Sequence, residues 1–358
     1  MARSGQQLDV SRGSASSVAV LIPCHNYGRF LDQCVASVLA QHGVEVEILV
    51  VDDASTDDSL DVATALSRQD KRVRVLALDR NVGMVTAVNQ GLAELGGDYL
   101  VKLDADDLLT PGSLLRSATL LDDNPEVGFV YGPPRHFSTA APPLAGPSHP
   151  QWLVWPGADW FAMRYRRAVN CISQPEAAIR MSTLRKVGLY NPALSHTADL
   201  EMWLRLAAAA DVGRINGVYQ GYYRVHAASM QRTVNAGVGT DLLGRRAAFL
   251  NALTTADALR PDAARLETTV RAALASQALD RACRAYDRDK VDPVIIQQMV
   301  DFAVETCPGA RSLPRWAALE RRRRRGTTNR WSPPALTAAT TRRVAEEWAR
   351  HRWLRTGL

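Results

Sequence analysis

Apolar and polar positions alternate in blocks along the first 131 residues. The run Val18-Ala-Val-Leu-Ile22 predicts a buried strand and stops at Pro23. Phe30, Leu31, Cys34, Val35, Val38 and Leu39 then recur at helical spacing, predicting a helix from Phe30 to Ala40. A second strand, 46–51, ends at Asp52-Asp53. A helix from Asp58 to Leu66 follows, with Ser55 and Thr56 as its expected caps. Next come a strand at 73–77 and a helix at 83–95, closed by Gly96-Gly97. A strand at 99–103 ends at Asp104-Ala-Asp106, and Pro111 opens a helix over 111–122. A strand near 127–131 completes the series. Strands alternating with helices predict βαβ units, hence an α/β fold with a mainly parallel sheet flanked by helices.

Residues 132–157 break the rhythm. Seven prolines and three glycines predict a long loop with little regular structure. Regular patterns resume with a helix from Trp160 to about Arg167, a strand at 176–180, a helix at 182–186, a strong helix at 199–209 and a strand near 218–224. Beyond Thr240 strand-like runs vanish, and Ala, Leu, Arg and Asp recur with helical periodicity. The chain therefore reads as a disordered start (1–17), an α/β domain (18–239), a helical extension (240–308) and a tail (309–358).

Composition changes this picture in one place. The chain is 46% hydrophobic and 22% charged, as soluble globular proteins are. Its +6 charge is a property of the tail: residues 309–358 hold 13 Arg and 3 Glu, a balance of +10, so the other 308 residues carry −4. Arg321 to Arg325 are consecutive, and Trp316, Trp331, Trp348 and Trp353 share the segment. A solvated helix face, a contact with an anionic membrane surface and aromatic packing on the main domain all stay open for it. Nucleic acid is not an expected partner. No apolar run approaches the roughly 18 residues of a membrane span, and residues 1–17 lack the apolar core of a secretory signal. Five scattered cysteines suit a reducing compartment. The expected location is the cytoplasm, with the inner face of the membrane as the alternative the tail suggests.

The candidate chemistry lies where strands end. In open α/β sheets ligands bind outside the carboxyl ends of the strands, and paired carboxylates there suit a ribose hydroxyl or a divalent metal holding a diphosphate. D-x-D alone carries no weight, because the chain has two: Asp104-Ala-Asp106 and Asp287-Arg-Asp289. Only the first follows a strand. The G-x-G-x-x-G of a nicotinamide dehydrogenase is absent after the first strand. So is the glycine-rich, Arg- and Lys-bearing loop of a nucleotidyltransferase.

Val20-Leu-Ile-Pro-Cys-His-Asn-Tyr27, Val50-Val-Asp-Asp-Ala-Ser-Thr-Asp57, Arg80-Asn-Val-Gly83 with Ala87-Val-Asn-Gln-Gly91, and Leu103-Asp-Ala-Asp-Asp107 follow in order. Asp199-Leu-Glu-Met-Trp-Leu-Arg205 and Tyr223-Arg-Val-His-Ala-Ala-Ser229 come after them. Over roughly residues 17–231 this resembles the inverting family 2 glycosyltransferases of GT-A fold.

The resemblance implies transfer of a sugar from a nucleotide-diphosphate donor, foremost a UDP-sugar, to an acceptor hydroxyl on a glycan, lipid or small metabolite. It implies that Pro23, Asn26, Asp52, Asp53, Asn81, Gly83 and Asp104 bind the donor nucleotide. It implies that Asp106, with His226, holds Mn²⁺ or Mg²⁺, and that Asp199 is the general base. A hydrogen-bonded structural role is the other reading of His226. Glu201 is the rival base, but it can pair with Arg205 at i,i+4 on the expected solvated side. Two positions depart from the family pattern: Ala198 where Glu is usual, and Val88 where relatives often carry an arginine. A non-catalytic sugar-nucleotide binder or scaffold of the same fold is the alternative function.

Overall fold

The computed structural model describes residues 3–7, 16–140, 150–226, 238–256, 261–287, 291–326 and part of 340–353. The chain divides into two compact units, one of residues 1–161 and 170–229, the other of 162–169 and 230–358. Residues 8–15 of the expected disordered start, 141–149 of the expected loop, the motif residues 227–229, Asp289 and Trp331 lie outside the described residues.

The first unit opens with β1 (Arg3–Gln7), β2 (Ser17–Cys24), α1 (Gly28–Leu39), β3 (Glu45–Asp52), α2 (Ser59–Gln69), β4 (Val73–Ala77), α3 (Met84–Ala93) and β5 (Tyr99–Lys102). It continues with β6 (Leu108–Leu109), α4 (Ser113–Asp123), β7 (Val127–Tyr131), β8 (Pro134–Phe137), β9 (Gln151–Trp155) and α5 (Gly157–Arg167), whose residues from Ala162 onward belong to the second unit. β10 (Ala177–Arg180), α6 (Met181–Val187), α7 (Ala198–Ala209), β11 (Asp211–Asn216) and β12 (Gly221–Arg224) complete it.

Nine strands form one sheet in the order β1-β9-β11-β7-β10-β5-β2-β3-β4. β2, β3, β4 and β5 run parallel, and β11 runs parallel to β7, while β10 is antiparallel to both of its neighbours. Cys24 pairs with Asp52, and Leu21 with Lys102. This register sets the ends of β2, β3 and β5 side by side, so the segments 23–27, 52–57 and 104–107 emerge along one edge. The strands are apolar on both faces, as a sheet covered on both sides requires: Val20, Leu21, Ile22, Ile48, Val50, Leu100 and Val101 are all buried. α1 buries Leu31, Cys34, Val35 and Val38. α3 packs so closely that a Cβ on Gly91 would lie 2.5 Å from Leu21 and 2.6 Å from Val51.

The structure corrects three expectations. Residues 3–7 of the expected disordered start form β1, an edge strand antiparallel to β9. The expected loop contains β8 and β9: Pro134 stands at a strand's first residue, where its missing N–H is tolerated, and Trp152, Val154 and Trp155 give β9 an apolar character that the prolines around it masked. β11 was not expected at all. Its sequence Asp-Val-Gly-Arg-Ile-Asn looks polar, yet Arg214 is fully buried, its guanidinium 5.6 Å from the Tyr131 ring centre.

β12, in the region expected to be a strand, belongs to a second sheet of order β6-β12-β8. It pairs antiparallel with Leu108–Leu109, directly after the Asp104–Asp107 segment. That pairing carries the residues following β12 back to the acidic edge.

The second unit contains α8 (Val238–Ala256), α9 (Ala263–Asp287), α10 (Pro293–Thr306), a 3-10 turn (Ala310–Ser312) and α11 (Pro314–Arg325). Leu266, Val270, Leu274, Ala278 and Leu279 form the buried stripe of α9. Asp292 caps α10, accepting from the N–H groups of Val294 and Ile295. Within this unit α11 packs on α9, burying Ala318 and Leu319. Arg322 donates to both carboxylate oxygens of Asp287, and Arg315 pairs with Asp280. Residues 310–325 are therefore part of a helical core, and the expected boundary at 309 marks no break in packing. Among the described residues no helix is long and apolar enough to cross a membrane.

Candidate functional site

The segment after β2 is built as a bracket. Pro23 is buried as the penultimate residue of the strand. Asn26 turns with φ +61°, a conformation asparagine tolerates better than most residues. Its side-chain oxygen accepts from the N–H groups of Thr56 (2.7 Å) and Asp57 (3.2 Å), and its own N–H donates to Ser55 Oγ. Ser55 and Thr56 thus secure the turn ahead of α2 instead of capping the helix, whose N-cap is Asp58.

Asp53 occupies both carboxylate oxygens with backbone donors, Val82 N at 2.7 Å and Gly83 N at 2.9 Å. The Asn81-Val82-Gly83 turn is thereby tied to the end of β3, and Gly83 supplies the positive φ of 84° that the turn needs before α3. Asn81 reaches the imidazole of His25 at 3.1 Å. Asp52 accepts from Ser55 N at 3.1 Å, while its Oδ1 is buried without a hydrogen-bond partner. The residues of the 23–27, 52–57 and 81–83 segments expected to bind the nucleotide are brought together, with the side-chain oxygen of Asn26 and the carboxylate of Asp53 tying these loops to one another.

The acidic centre lies after β5. Lys102, nearly buried in the strand, pairs with Asp104. Asp106 and His226, 120 residues apart, meet at 2.9 Å between Oδ2 and Nε2. Burial, and then the charge of Asp104, raise the Asp106 carboxyl above the usual carboxylate range. The same causes, with the charge of Asp106 foremost after burial, push Asp107 well above it. Asp107 accepts from Arg224 N at 2.8 Å, which fixes β12 beside the acidic segment. The Arg224 guanidinium donates to Asp106 O and Gln33 Oε1 and lies against Phe30 and Phe137. Tyr27 and Phe30 flank His226 at ring separations of 5.9 and 5.4 Å.

Negative charge is thus crowded in a half-buried place, which is the condition a bound cation relieves. Among the described residues no three His, Cys, Asp or Glu side chains converge as a complete metal cage. The donor set offered is one carboxylate and one imidazole. It suits an ion that completes its shell with substrate phosphates and water, as Mg²⁺ does. The residues fit such an ion.

Asp199 stands in the first turn of α7, half-buried. Its Oδ2 accepts from Asn170 Nδ2 at 2.8 Å. Burial raises its carboxyl above the ordinary range, against the opposing pull of hydrogen bonds and of Lys102. Glu201 differs from expectation: it is 1% exposed, not solvated. It accepts from Arg205 Nε at 2.7 Å, and that guanidinium also donates to the carbonyls of Val187 and Leu189. This buried pair holds α6 and α7 together; the other oxygen, Oε2, is buried without a partner, and a carboxylate sealed from solvent and paired with Arg205 is poorly placed for proton transfer with a substrate. Ala198 is buried, and Val88 lies in the core of α3. Lys102 is a cation beside Asp104.

Sequence reasoning missed Lys102, Asn170, Glu176 and Tyr190. Lys102 had a legible signal, a lone charge inside an apolar strand. Tyr190 did not: it is 4% exposed, with its hydroxyl unpaired, and Asn89 clamps its backbone N–H and carbonyl.

Residues 19–182, a little under half of the chain, match the family model described as Glycosyl transferase family 2. Glycosyltransferase GlyG of Streptococcus pneumoniae serotype 4 is 38% identical over 92 residues, 26% of this chain and 31% of that protein. Chondroitin synthase of Pasteurella multocida is 25% identical over 204 residues, 56% of this chain and 20% of that protein. The chain spans about a third of the length of the first curated relatives it matches.

Among solved structures, S. aureus TarS 1–349 in complex with UDP-GlcNAc superposes with a TM-score of 0.58 at 16% identity, covering 85% of this chain and 83% of that one. Mannosyltransferase PcManGT from Pyrobaculum calidifontis, in complex with GDP-Man and Mn²⁺, gives 0.51 at 15% identity, over 93% and 85%. At these identities the likeness shows the fold, and the fold is GT-A. The resemblance read from the motifs holds over the matched segment.

Proposed function

We propose, from the family 2 segment and the acidic edge it carries, that this chain is a glycosyltransferase moving a sugar from a nucleotide diphosphate to an acceptor hydroxyl, with inversion. The observation that carries the reading is the meeting of Asp106, just after β5, with His226, brought back by β12, within the field of the Asp104 charge.

In this reading the bracket of residues 23–27, 52–57 and 81–83 receives the base and ribose. Asp106 and His226 hold a divalent cation, Mn²⁺ or Mg²⁺. When bound, the cation offsets the charge that builds on the departing diphosphate. Lys102 fixes the Asp104 carboxylate at the end of β5. Asp199 takes the proton of the acceptor hydroxyl, and its raised pKa makes it a stronger base than a solvated aspartate. TarS and PcManGT were solved with UDP-GlcNAc and GDP-Man, so UDP- and GDP-sugars are the first donors to test, a UDP-sugar foremost.

The test is a thermal-shift panel of UDP-, GDP- and dTDP-sugars with Mn²⁺, with EDTA as control. A donor present at about 100 times its dissociation constant adds about 2.7 kcal/mol of stability. Stabilisation by one nucleotide class, lost with EDTA and followed by slow release of nucleoside diphosphate, is the expected result. Stabilisation without any turnover favours the binder reading, and no response to any nucleotide sugar refutes both.

A further inference from the structure

Asp199 is held by a partner from a distant segment. Asn170 lies 29 residues upstream, in the stretch between α5 and β10, and its Nδ2 donates to Asp199 Oδ2 at 2.8 Å. The other end of the same carboxamide is also committed, because its Oδ1 accepts from Ile172 N at 3.2 Å. These two contacts determine which way the amide points. A flip would set an NH₂ against a backbone N–H and an oxygen against a carboxylate. The amide is therefore a two-ended brace, one end on its own turn and the other on the candidate base. Ala198, directly before Asp199, is buried, so no second carboxylate of α7 adjoins the base from that position.

We propose that Asn170 is the positioning residue of the base: by fixing Oδ2 of Asp199 it turns the other carboxylate oxygen toward the acceptor hydroxyl and keeps the group ionised. The proposal rests on the reading of Asp199 as the base. Ionisation needs this support because Asp199 is desolvated by its surroundings. Charged and titratable groups face it from several elements. Lys102 and Asp104 come from the end of β5, Tyr190 from the segment ahead of α7, and Glu176 from the segment ahead of β10. Asp104 opposes a negative Asp199, whereas the Leu200 N–H, Lys102 and Asn170 favour it. The Asn170 side chain is neutral, so removing it alters the hydrogen bond without deleting a charge.

Two substitutions separate positioning from a purely local structural role. Asn170→Ala removes both contacts. Asn170→Asp keeps an oxygen to accept from Ile172 N but replaces the donor facing Asp199 with a like charge. The Asp199 carboxyl is followed in the full-length protein by carbon-13 NMR across pH, its signal assigned by its loss in Asp199→Asn. This needs no donor or acceptor. A hydrogen bond to a charged group of this kind corresponds to about one pH unit. The midpoint is expected to rise by about one pH unit in Asn170→Ala and further in Asn170→Asp. With UDP-GlcNAc and Mn²⁺ as the probe, the acid limb of the hydrolysis profile is expected to move up by the same amount, with KM for the donor unchanged.

An Asp199 midpoint that stays in place in both variants, or an Asn170→Asp protein matching the wild type, overturns the positioning role. Loss of hydrolysis in Asp199→Asn alongside such a result leaves the base reading standing while this one falls. Full hydrolysis by Asp199→Asn overturns both.

Discussion

Glu176 offers the sharpest physical test of how this site is built. It is 2% exposed, its Oε1 accepts from Ser173 N at 2.6 Å, and its Oε2 is buried without a partner. It lines a small cavity with Ser113, Ser117 and Gln220. Burial pushes its carboxyl from 4.5 up to about 8, with the charge of Asp199 adding to the rise and Arg214 opposing it. A carboxyl whose folded-state pKa is raised holds its proton in the folded protein after the unfolded chain has released its own. Its stabilising contribution is full below about pH 4.5 and is lost as the pH climbs toward about 8. A pKa difference of one between the folded and unfolded protein is worth about 1.4 kcal/mol. Between pH 5 and pH 8 the wild type therefore loses about 3–4 kcal/mol through this group.

Glu176→Gln keeps the acceptor for Ser173 N and removes the titration. Any fixed cost of placing an NH₂ in the cavity is the same at both pH values and cancels. Urea denaturation at pH 5 and pH 8 measures the difference. With a slope of about 2 kcal/mol per molar, the midpoint of the variant is expected to gain about 1–2 M on the wild type between the two pH values. A stability difference that stays constant from pH 5 to pH 8 would refute the claim that Glu176 is buried as a neutral acid.

Asp106→Ala is expected to abolish Mn²⁺-dependent stabilisation by a donor nucleotide in the thermal-shift assay. Asp287→Ala, which breaks the Arg322 pair in the second unit, is expected to leave it intact. Asp199→Asn should retain donor binding and lose turnover, measured as nucleoside diphosphate release. Glu201→Gln should act on stability instead, by about 3–5 kcal/mol in chemical denaturation, because it leaves the buried Arg205 charge without its partner. Truncation after Pro308 removes α11 with Leu319 and the Asp287 and Asp280 pairs, so it should lower the melting temperature even without ligand. An unchanged melting temperature would return residues 309–325 to the status of an independent basic tail.

Much of the frame was legible in the amino-acid sequence. Strands β2, β3, β5 and β7 announced themselves as apolar runs, because a strand covered on both faces has few polar positions to spare. Helix α1 did so by its spacing, and the acidic residues did so by standing where those runs stop. Such signals are local, and local periodicity reports which face of an element avoids water.

It does not report which elements become neighbours. β9 and β11 pair with each other although α5, β10, α6 and α7 lie between them in the chain; the prolines around β9 mask its apolar run, and β11 carries none. The meeting of His226 with Asp106 depends on β12 joining β6, and the brace from Asn170 to Asp199 depends on how α7 lies beside the segment ahead of β10. Asp53 and Asn26 carried the right residue types for ligand binding, yet their oxygens went to backbone donors that only the folded loops present. Glu201 looked like a surface ion pair until its helix was packed on α6. In each case the side chain's chemistry was fixed by its type, while its protonation, its partner and its role were decided by the desolvation and distances that packing imposes.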